Sequence, residues 1–110
     1  ILYAPSTARG GKISAIVPMC CHVDSTDHDV DIIVTEQGVA DLRGKGPVRR
    51  AKEIIEHCAH PDYRPLLKDY LEHIAPMGHE PQNMRAALAF HDTFLRKGDM
   101  RLTDFGEYLK

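Results

Sequence analysis

Residues 32–44 read IIVTEQGVADLRG, and this stretch decides how the chain is interpreted. It begins with two isoleucines and a valine, a β-branched run that predicts a strand buried on both faces. Gly38 is a natural residue where the backbone reverses after a strand. The apolar pattern that resumes at residue 39 predicts the start of a short helix that carries Arg43.

Three charged side chains follow this strand and predict a ligand site. Glu36 comes directly after the strand, and Asp41 and Arg43 lie a few residues further on. Because ligands bind at the carboxyl ends of strands in open α/β sheets, we expect all three side chains at that edge. We also expect Glu36 and Arg43 to form a partly buried ion pair there, since their neighbours are apolar.

Two further strands are predicted upstream, over residues 1–4 and 13–19, with a turn at residues 9–12 between them. The short link predicts that these two strands are antiparallel neighbours. Together with the strand at residues 30–35, they give about three strands before the periodicity becomes helical. Three strands do not close a sheet by themselves, which predicts further strands or a partner layer.

Three helices are predicted after the strands. Pro47 suits the first turn of the first helix, and Pro61 ends it, because a residue before proline avoids helical geometry. Asp62 is predicted to cap the second helix, and Pro81 to open a third that ends at Gly98. The third helix is expected to bury one stripe, which consists of Met84, Leu88, His91 and Leu95. The predicted fold class is therefore α/β.

Composition narrows the class of protein. The chain has 110 residues, a length that suits one small domain. Its net charge is −2, so no overall positive charge argues for binding to nucleic acid. No apolar run approaches a membrane span, and no signal peptide is visible. The odd number of cysteines, with Cys20 and Cys21 adjacent, predicts reduced and partly buried thiols in a cytosolic-type compartment.

Ordered motifs extend over nearly the whole chain. Besides the central stretch they are PSTA at residues 5–8, GGKIS at 10–14, AIVPM at 15–19, HVDSTDHDVD at 22–31 and AHPDYR at 59–64. In this order they resemble the C-terminal domain of the acetyl-CoA hydrolase/transferase family. The string from residue 22 to residue 44 is most similar to the branch with acetyl-CoA hydrolases and succinyl-CoA or propionyl-CoA:carboxylate CoA-transferases.

The resemblance implies a fold and an architecture. Residues 1–110 would be the C-terminal part of that domain, within an open-sheet CoA-transferase-type fold. The chain begins inside a predicted strand, so we expect a fragment whose enzyme continues before Ile1. The resemblance and the exposed apolar surface together lead us to expect a homo-oligomer without nucleic-acid or membrane partners. Its location would be cytoplasmic, or mitochondrial in a eukaryote.

The resemblance also implies a chemistry. Such enzymes move CoA between a short-chain acyl-CoA and a carboxylate, such as acetate, succinate or propionate, through a glutamyl-CoA intermediate. CoA and acyl-CoA are substrates, and no cofactor is bound permanently. The nucleophilic glutamate lies before the region covered here, so we expect no catalytic residue in this chain and no activity of the isolated fragment. Two alternatives stay open, namely acetyl-CoA hydrolysis and a non-catalytic CoA-binding or interface module.

Arg9 and Lys12 are the candidate contacts for CoA. They flank a Gly-Gly pair, and a cation beside exposed backbone amides can hold a phosphate. Arg9 stands where members of the resembled family often have lysine. The alternative for Arg9 is a solvated charge on a turn, and a lysine such as Lys12 is common where an exposed strand begins.

Other polar residues have a structural interpretation beside the functional one. Glu36 resembles the nucleophile turns of other CoA-transferases, but it can instead bind backbone amides or Arg43 and shape the turn. His91 is interpreted as a core histidine with satisfied hydrogen bonds. A metal site is not predicted from the acidic and histidine residues of the loop, because their spacing matches no zinc pattern and such residues brace turns. These loop residues are His22, Asp24, Asp27, His28 and Asp29.

Overall fold

The computed structural model describes residues 1–26, 29–78 and 82–108. The described part is a mixed α/β structure, as the sequence predicts. Its strands are short and all lie before residue 42. In chain order they are β1 (Leu2–Tyr3), β2 (Thr7–Ala8), β3 (Ile13–Ser14), β4 (Ile32–Thr35) and β5 (Gly38–Asp41).

The strands form a three-stranded sheet and a separate two-stranded ribbon. The sheet has the order β1-β4-β5, with β1 parallel and β5 antiparallel to β4. The ribbon pairs β2 with β3. The predicted pairing of the first two strands is therefore wrong. The chain bends after Ala4, and the glycine turn brings β3 back against β2. The partner of β1 is therefore β4, which is distant in sequence.

The predicted helix start after Gly38 is also wrong, because β5 folds back on β4 as a hairpin. Thr35 lies opposite Gly38, so Glu36 and Gln37 alone form the connection. Val39 is 55% exposed whereas Ala40 is buried, the alternation of a strand with one solvent face. The sequence does not reveal this alternation, because the exposed Val39 and the buried Ala40 are both apolar.

Four α-helices follow the sheet in the part of the chain that the structure describes. They are α1 (Pro47–His57), α2 (Arg64–Ile74), α3 (Ala89–Lys97) and α4 (Phe105–Tyr108). Pro47 begins α1 as predicted. Asp62 does not cap α2, since the cap position is Tyr63 and no side chain caps it. The backbone N–H of Asp62 instead donates to Nδ1 of His60.

The third helix buries a different face from the one predicted. It ends at Gly98, whose left-handed φ of 74° suits glycine, but Met84 is 79% and Leu95 is 83% exposed. The face that packs inward carries Ala89, Phe90 and Thr93. The helix begins later than predicted, so residues 84–88 form turns and do not extend its stripe. The predicted opening residue, Pro81, lies outside the described residues.

The core lies among the helices and is organised by aromatic rings. Phe90 contacts Tyr63 and Phe105 with ring centroids 5.6 Å apart, and Phe105 contacts Tyr70 at 5.4 Å. The weakly patterned tail therefore supplies a central side chain, which its sequence does not indicate. The buried core comprises Ile55, Ala59, Tyr63, Leu67, Tyr70, Leu71, Ile74, Ala86, Ala89, Phe90, Met100 and Phe105.

A second and smaller cluster joins the hairpin to α1. Ala40, Leu42 and Cys58 are its buried members. A Cβ added at Gly38 would lie 2.7 Å from the carbonyl oxygen of His57, closer than real Cβ contacts. Gly38 is thus required by the close approach of α1.

An apolar groove of about 700 Å³ lies between α1 and α2. Its walls include Val17, Val48, Ile55 and Leu71. Arg9, Lys12 and Glu36 are not among its lining residues. Within the described ranges, no helix is long and apolar enough to span a bilayer.

Candidate functional site

The turn at residues 9–12 has an unusual backbone. Arg9, Gly10 and Gly11 all have positive φ, at 53°, 64° and 92°. Glycine adopts this region freely, but for arginine it is uncommon and costs energy. The turn is a short 3₁₀ helix that connects β2 to β3, closed by the N–H of Lys12 donating to the carbonyl of Arg9.

The two predicted CoA contacts are on the surface of this turn. Arg9 and Lys12 are exposed, and neither side chain makes a hydrogen bond or ion pair within the described part of the chain. The hydrogen bond of Arg101 and the nearby charge of Lys12 lower the pKa of Asp99, and both Arg9 and Lys12 are exposed to an anion from solvent. Two such cations on one fixed turn can hold a phosphate by charge-assisted hydrogen bonds.

Glu36 lies at the carboxyl end of β4, as predicted, and binds the segment that leads to the turn. Its carboxylate accepts from the backbone N–H of Ser6, with N–O distances of 2.8 and 3.2 Å. This hydrogen bond lowers the pKa of Glu36 below its usual value of 4.5. The contact agrees with the structural interpretation, in which Glu36 binds a backbone amide. Because β1 and β4 are parallel, their carboxyl ends meet at this point.

Asp41 and Arg43 do not join Glu36 at that edge. Asp41 lies opposite Ile32, at the amino end of β4. Three residue steps of about 3.4 Å place it roughly 10 Å from the Glu36 end of the hairpin. Arg43 instead donates to both oxygens of Asp41, at 3.0 and 2.8 Å, and this holds the pKa of Asp41 well below its usual range. The predicted pair of Glu36 with Arg43 is wrong because the hairpin separates them.

The loop after β3 gives no metal cluster in the described residues. His22 and Asp24 contact each other at 2.9 Å on the surface, and no three His, Cys, Asp or Glu side chains of the described ranges come together as metal ligands would. Asp27 and His28 lie outside those ranges. The absence of a metal site therefore stays a prediction.

The cysteines and His91 differ in part from expectation. All three thiols are free, but Cys20 and Cys21 are exposed, where partial burial was predicted. Cys58 is buried, and burial raises the pKa of its thiol. His91 has a buried Nδ1 with no hydrogen-bond partner within residues 1–26, 29–78 and 82–108, so the expectation of a satisfied histidine is wrong.

The structure adds residues around the turn that sequence reasoning did not identify. Tyr63 and Met100 donate hydrogen bonds to the carbonyls of residues 11 and 12, and the guanidinium of Arg101 lies beside Gly11. No local sequence pattern predicts these contacts, since they join positions about 50 and 90 residues apart in sequence. The only available signal was the AHPDYR motif, which marks Tyr63 without revealing its partner.

Comparison with known proteins places this geometry in a family. The model of the acetyl-CoA hydrolase/transferase C-terminal domain matches residues 1–71. The chain belongs to the acetyl-CoA hydrolase/transferase family. The resemblance drawn from the sequence motifs is thus confirmed. The matched residues include the glycine turn, the hairpin with Glu36 and helices α1 and most of α2.

Relatives in this family carry two kinds of activity in their names. An acetyl-CoA hydrolase of Eremothecium gossypii is 52% identical and aligns with 93% of this chain and 21% of its own length. A propanoyl-CoA:succinate CoA transferase of Escherichia coli is 50% identical, over 91% of this chain and 20% of its own. The chain thus spans about a fifth of the length of these acetyl-CoA hydrolase/transferase family members.

A solved structure of the family type shares the fold. The 4-hydroxybutyrate CoA-transferase of Porphyromonas gingivalis is 41% identical, with a TM-score of 0.57. The match covers 64% of this chain and 17% of that one.

Proposed function

We propose that the protein to which this chain belongs transfers CoA between a short-chain acyl-CoA and a carboxylate such as acetate, succinate or propionate. Relatives at about half sequence identity are named as CoA-transferases and acetyl-CoA hydrolases. In this proposal CoA and its thioesters are substrates, and no cofactor is held permanently. The chain contributes part of the CoA site and leaves the chemistry to residues outside it.

The glycine turn is the observation that carries this proposal. It presents Arg9 and Lys12 to solvent on a strained backbone, and it follows the segment in which the amide of Ser6 binds Glu36 at the carboxyl end of β4. CoA carries a diphosphate and a 3′-phosphate, and such groups are bound by cations beside backbone amides. We assign both side chains to the CoA phosphates.

The reaction in this proposal is covalent catalysis by a glutamate outside the chain. The carboxylate attacks the thioester carbonyl and releases CoA thiolate, which leaves an acyl-glutamyl anhydride. The thiolate then attacks the glutamyl carbonyl and releases the first carboxylate, which gives glutamyl-CoA. The second carboxylate attacks the carbonyl of glutamyl-CoA and releases CoA thiolate, which gives a new anhydride. The thiolate then attacks the acyl carbonyl of this anhydride, which forms the new acyl-CoA and regenerates the glutamate.

Hydrolysis is the second candidate, and the hydrolase names among the relatives favour it. It uses the same acyl-enzyme, with water in place of the second carboxylate. Assay of the full-length protein with acetyl-CoA, with and without succinate, separates the two. Release of free CoA that does not depend on succinate would identify a hydrolase.

Glu36 is not the nucleophile in this proposal, because its carboxylate is engaged with the amide of Ser6. We therefore expect residues 1–110 alone to show no turnover of acetyl-CoA in the presence of succinate. Turnover that disappears in Glu36→Gln would contradict this and make Glu36 the nucleophile. CoA binding by the chain without turnover would agree with a non-catalytic CoA-binding module.

Substitution of Arg9 in the full-length enzyme tests the assignment of the CoA site. Loss of one charged hydrogen bond should weaken CoA binding about tenfold or more, with a smaller effect on the chemical step. Titration with CoA and with 3′-dephospho-CoA shows which phosphate is involved. Arg49→Ala is the matched control, because Arg49 is an exposed arginine on α1. Equal CoA affinity of wild type and Arg9→Ala would remove Arg9 from the site.

We further propose that residues 1–110 form one structural unit of the family's C-terminal domain. The family model ends at residue 71, yet Phe90 and Phe105 pack with Tyr63 and Tyr70 in one core. Limited proteolysis should therefore not separate residues 1–71 from residues 82–108.

We also propose a homo-oligomer in the cytoplasm, or in the mitochondrion of a eukaryote, without nucleic-acid or membrane partners. Exposed apolar side chains such as Met84 and Leu102 support self-association. Light scattering of the full-length protein measures the oligomeric state.

A further inference from the structure

The turn that carries Arg9 and Lys12 is held at its carbonyl groups by two distant parts of the chain. The hydroxyl of Tyr63 donates to the carbonyl of Gly11 at 2.6 Å. The backbone N–H of Met100 donates to the carbonyl of Lys12 at 2.8 Å. The first donor lies at the start of α2, and the second lies in a 3₁₀ helix after α3.

Tyr63 is itself fixed in place. It is fully buried, and its ring packs against Phe90 in the centre of the core. Burial raises the pKa of Tyr63 to about 12, so its hydroxyl stays protonated near neutral pH. It can therefore donate to Gly11 throughout the physiological range. A rigid ring with one polar atom at the surface of the core is suited to anchoring a loop.

Arg101 lies against the same turn. Its Nη1 would be 3.6 Å from a Cβ placed on Gly11. Asp99 holds the guanidinium through hydrogen bonds of 2.8 and 3.0 Å, and Asp62 lies 3.7 Å from it. Because two carboxylates offset the charge of Arg101, we treat it as a brace for the turn and leave the phosphate to Arg9 and Lys12.

We propose that Tyr63 and Arg101 are positioning residues for CoA binding, which act by holding the Arg9–Gly11 turn in the conformation that presents Arg9 and Lys12. The inference rests on the proposed CoA site. The positive φ of Arg9 is uncommon for arginine and costs energy, so the turn needs such support. Without the support of Tyr63 and Arg101, the turn with Arg9 and Lys12 would become ordered only when CoA binds. The entropy lost in that ordering would lower the affinity for CoA.

The first test is Tyr63→Phe in the full-length enzyme, which removes one oxygen and keeps the ring in the core. CoA affinity measured by calorimetry should fall about two- to tenfold, the range for one neutral hydrogen bond. KM for acyl-CoA should rise by a similar factor, and kcat should stay within about twofold, because chemistry follows binding. Unchanged CoA affinity in a folded Tyr63→Phe enzyme overturns the proposal.

Tyr70→Phe is the matched control. Tyr70 lies on α2 and is buried, and its hydroxyl donates to Gln82, away from the turn. It should leave CoA affinity unchanged. An equal loss of CoA affinity in Tyr70→Phe would mean that removing either tyrosine hydroxyl has the same effect, and the positioning role of Tyr63 would be rejected.

A double-mutant cycle with Arg9→Ala separates this inference from the proposed function. If Tyr63 acts through the turn, Tyr63→Phe should have a smaller effect on CoA affinity in the Arg9→Ala enzyme than in wild type, because only Lys12 is then left to be positioned. Full additivity rejects the positioning role. No effect of either Arg9→Ala or Lys12→Ala rejects the proposed site itself. An effect of Arg9→Ala with none of Tyr63→Phe rejects the inference and leaves the proposed site standing.

Arg101→Lys keeps the test decisive if Tyr63→Phe fails to fold, because Arg101 is at the surface. The substitution preserves the charge but loses the planar hydrogen bonds to Asp99. CoA affinity should fall a few-fold at constant net charge. Unchanged affinity would exclude Arg101 as a brace.

Discussion

The helical core and the strand region are stabilised by different interactions. The helices bury a connected set of side chains with three aromatic contacts, whereas the hairpin has only three buried members in its cluster. The glycine turn has none, and it is held by hydrogen bonds to its carbonyls. The proposed site therefore lies on a turn that buries no side chain of its own, and its geometry depends on hydrogen bonds from the core.

Phe90→Ala should have the largest effect, because it breaks the aromatic core. Phe90 is fully buried and contacts both Tyr63 and Phe105. Loss of a buried phenylalanine costs about 3–5 kcal/mol. Denaturant unfolding of the full-length protein measures it. A cost near zero would mean that the helices do not form the main core.

Gly38→Ala should have the next largest effect, since it breaks the contact between the two regions. The added Cβ would meet the His57 carbonyl oxygen at 2.7 Å, so α1 or the hairpin must shift. We expect a loss of about 1–3 kcal/mol, as for overpacking. Val39→Ala on the same strand is the control, because Val39 points to solvent. Equal losses in both variants would contradict a steric role for Gly38.

Glu36→Gln should have a smaller effect that depends on pH. The folded-state pKa of Glu36 is lowered, so the carboxylate stabilises the fold above its usual value of 4.5, and this contribution is lost as the pH falls through the folded-state pKa. The difference in melting temperature between wild type and Glu36→Gln should therefore be present at pH 7 and shrink below about pH 4.5. A difference that grows toward acid pH would rule out the contact with Ser6 as its cause.

Leu95→Ala should have the smallest effect on stability. Leu95 belongs to the stripe that the sequence predicts as buried, yet it is 83% exposed on α3. A substitution at the surface changes the free energy of unfolding by at most about 0.5 kcal/mol. A loss of several kcal/mol in the full-length protein would show that another part of the polypeptide covers this face.

The sequence by itself determined the features that depend on local signals. Family motifs identified the chain as a member of the acetyl-CoA hydrolase/transferase family. Prolines and the 3.6-residue period marked α1 and α2, and Gly98 marked the end of α3, because these preferences act within one or two turns. The glycines of the turn at residues 9–12 likewise predicted its position and its two exposed cations.

Only the tertiary structure decided which segments meet. The pairing of β1 with β4, the place of Phe105 in the core and the partner of Glu36 all join residues far apart in sequence. The predicted pair of Glu36 with Arg43 was wrong because residues 38–41 form a strand and not the start of a helix. This strand runs back along β4 and carries Arg43 away from Glu36. The support of the glycine turn by Tyr63 is of the same kind, since no local preference encodes a contact across 52 positions.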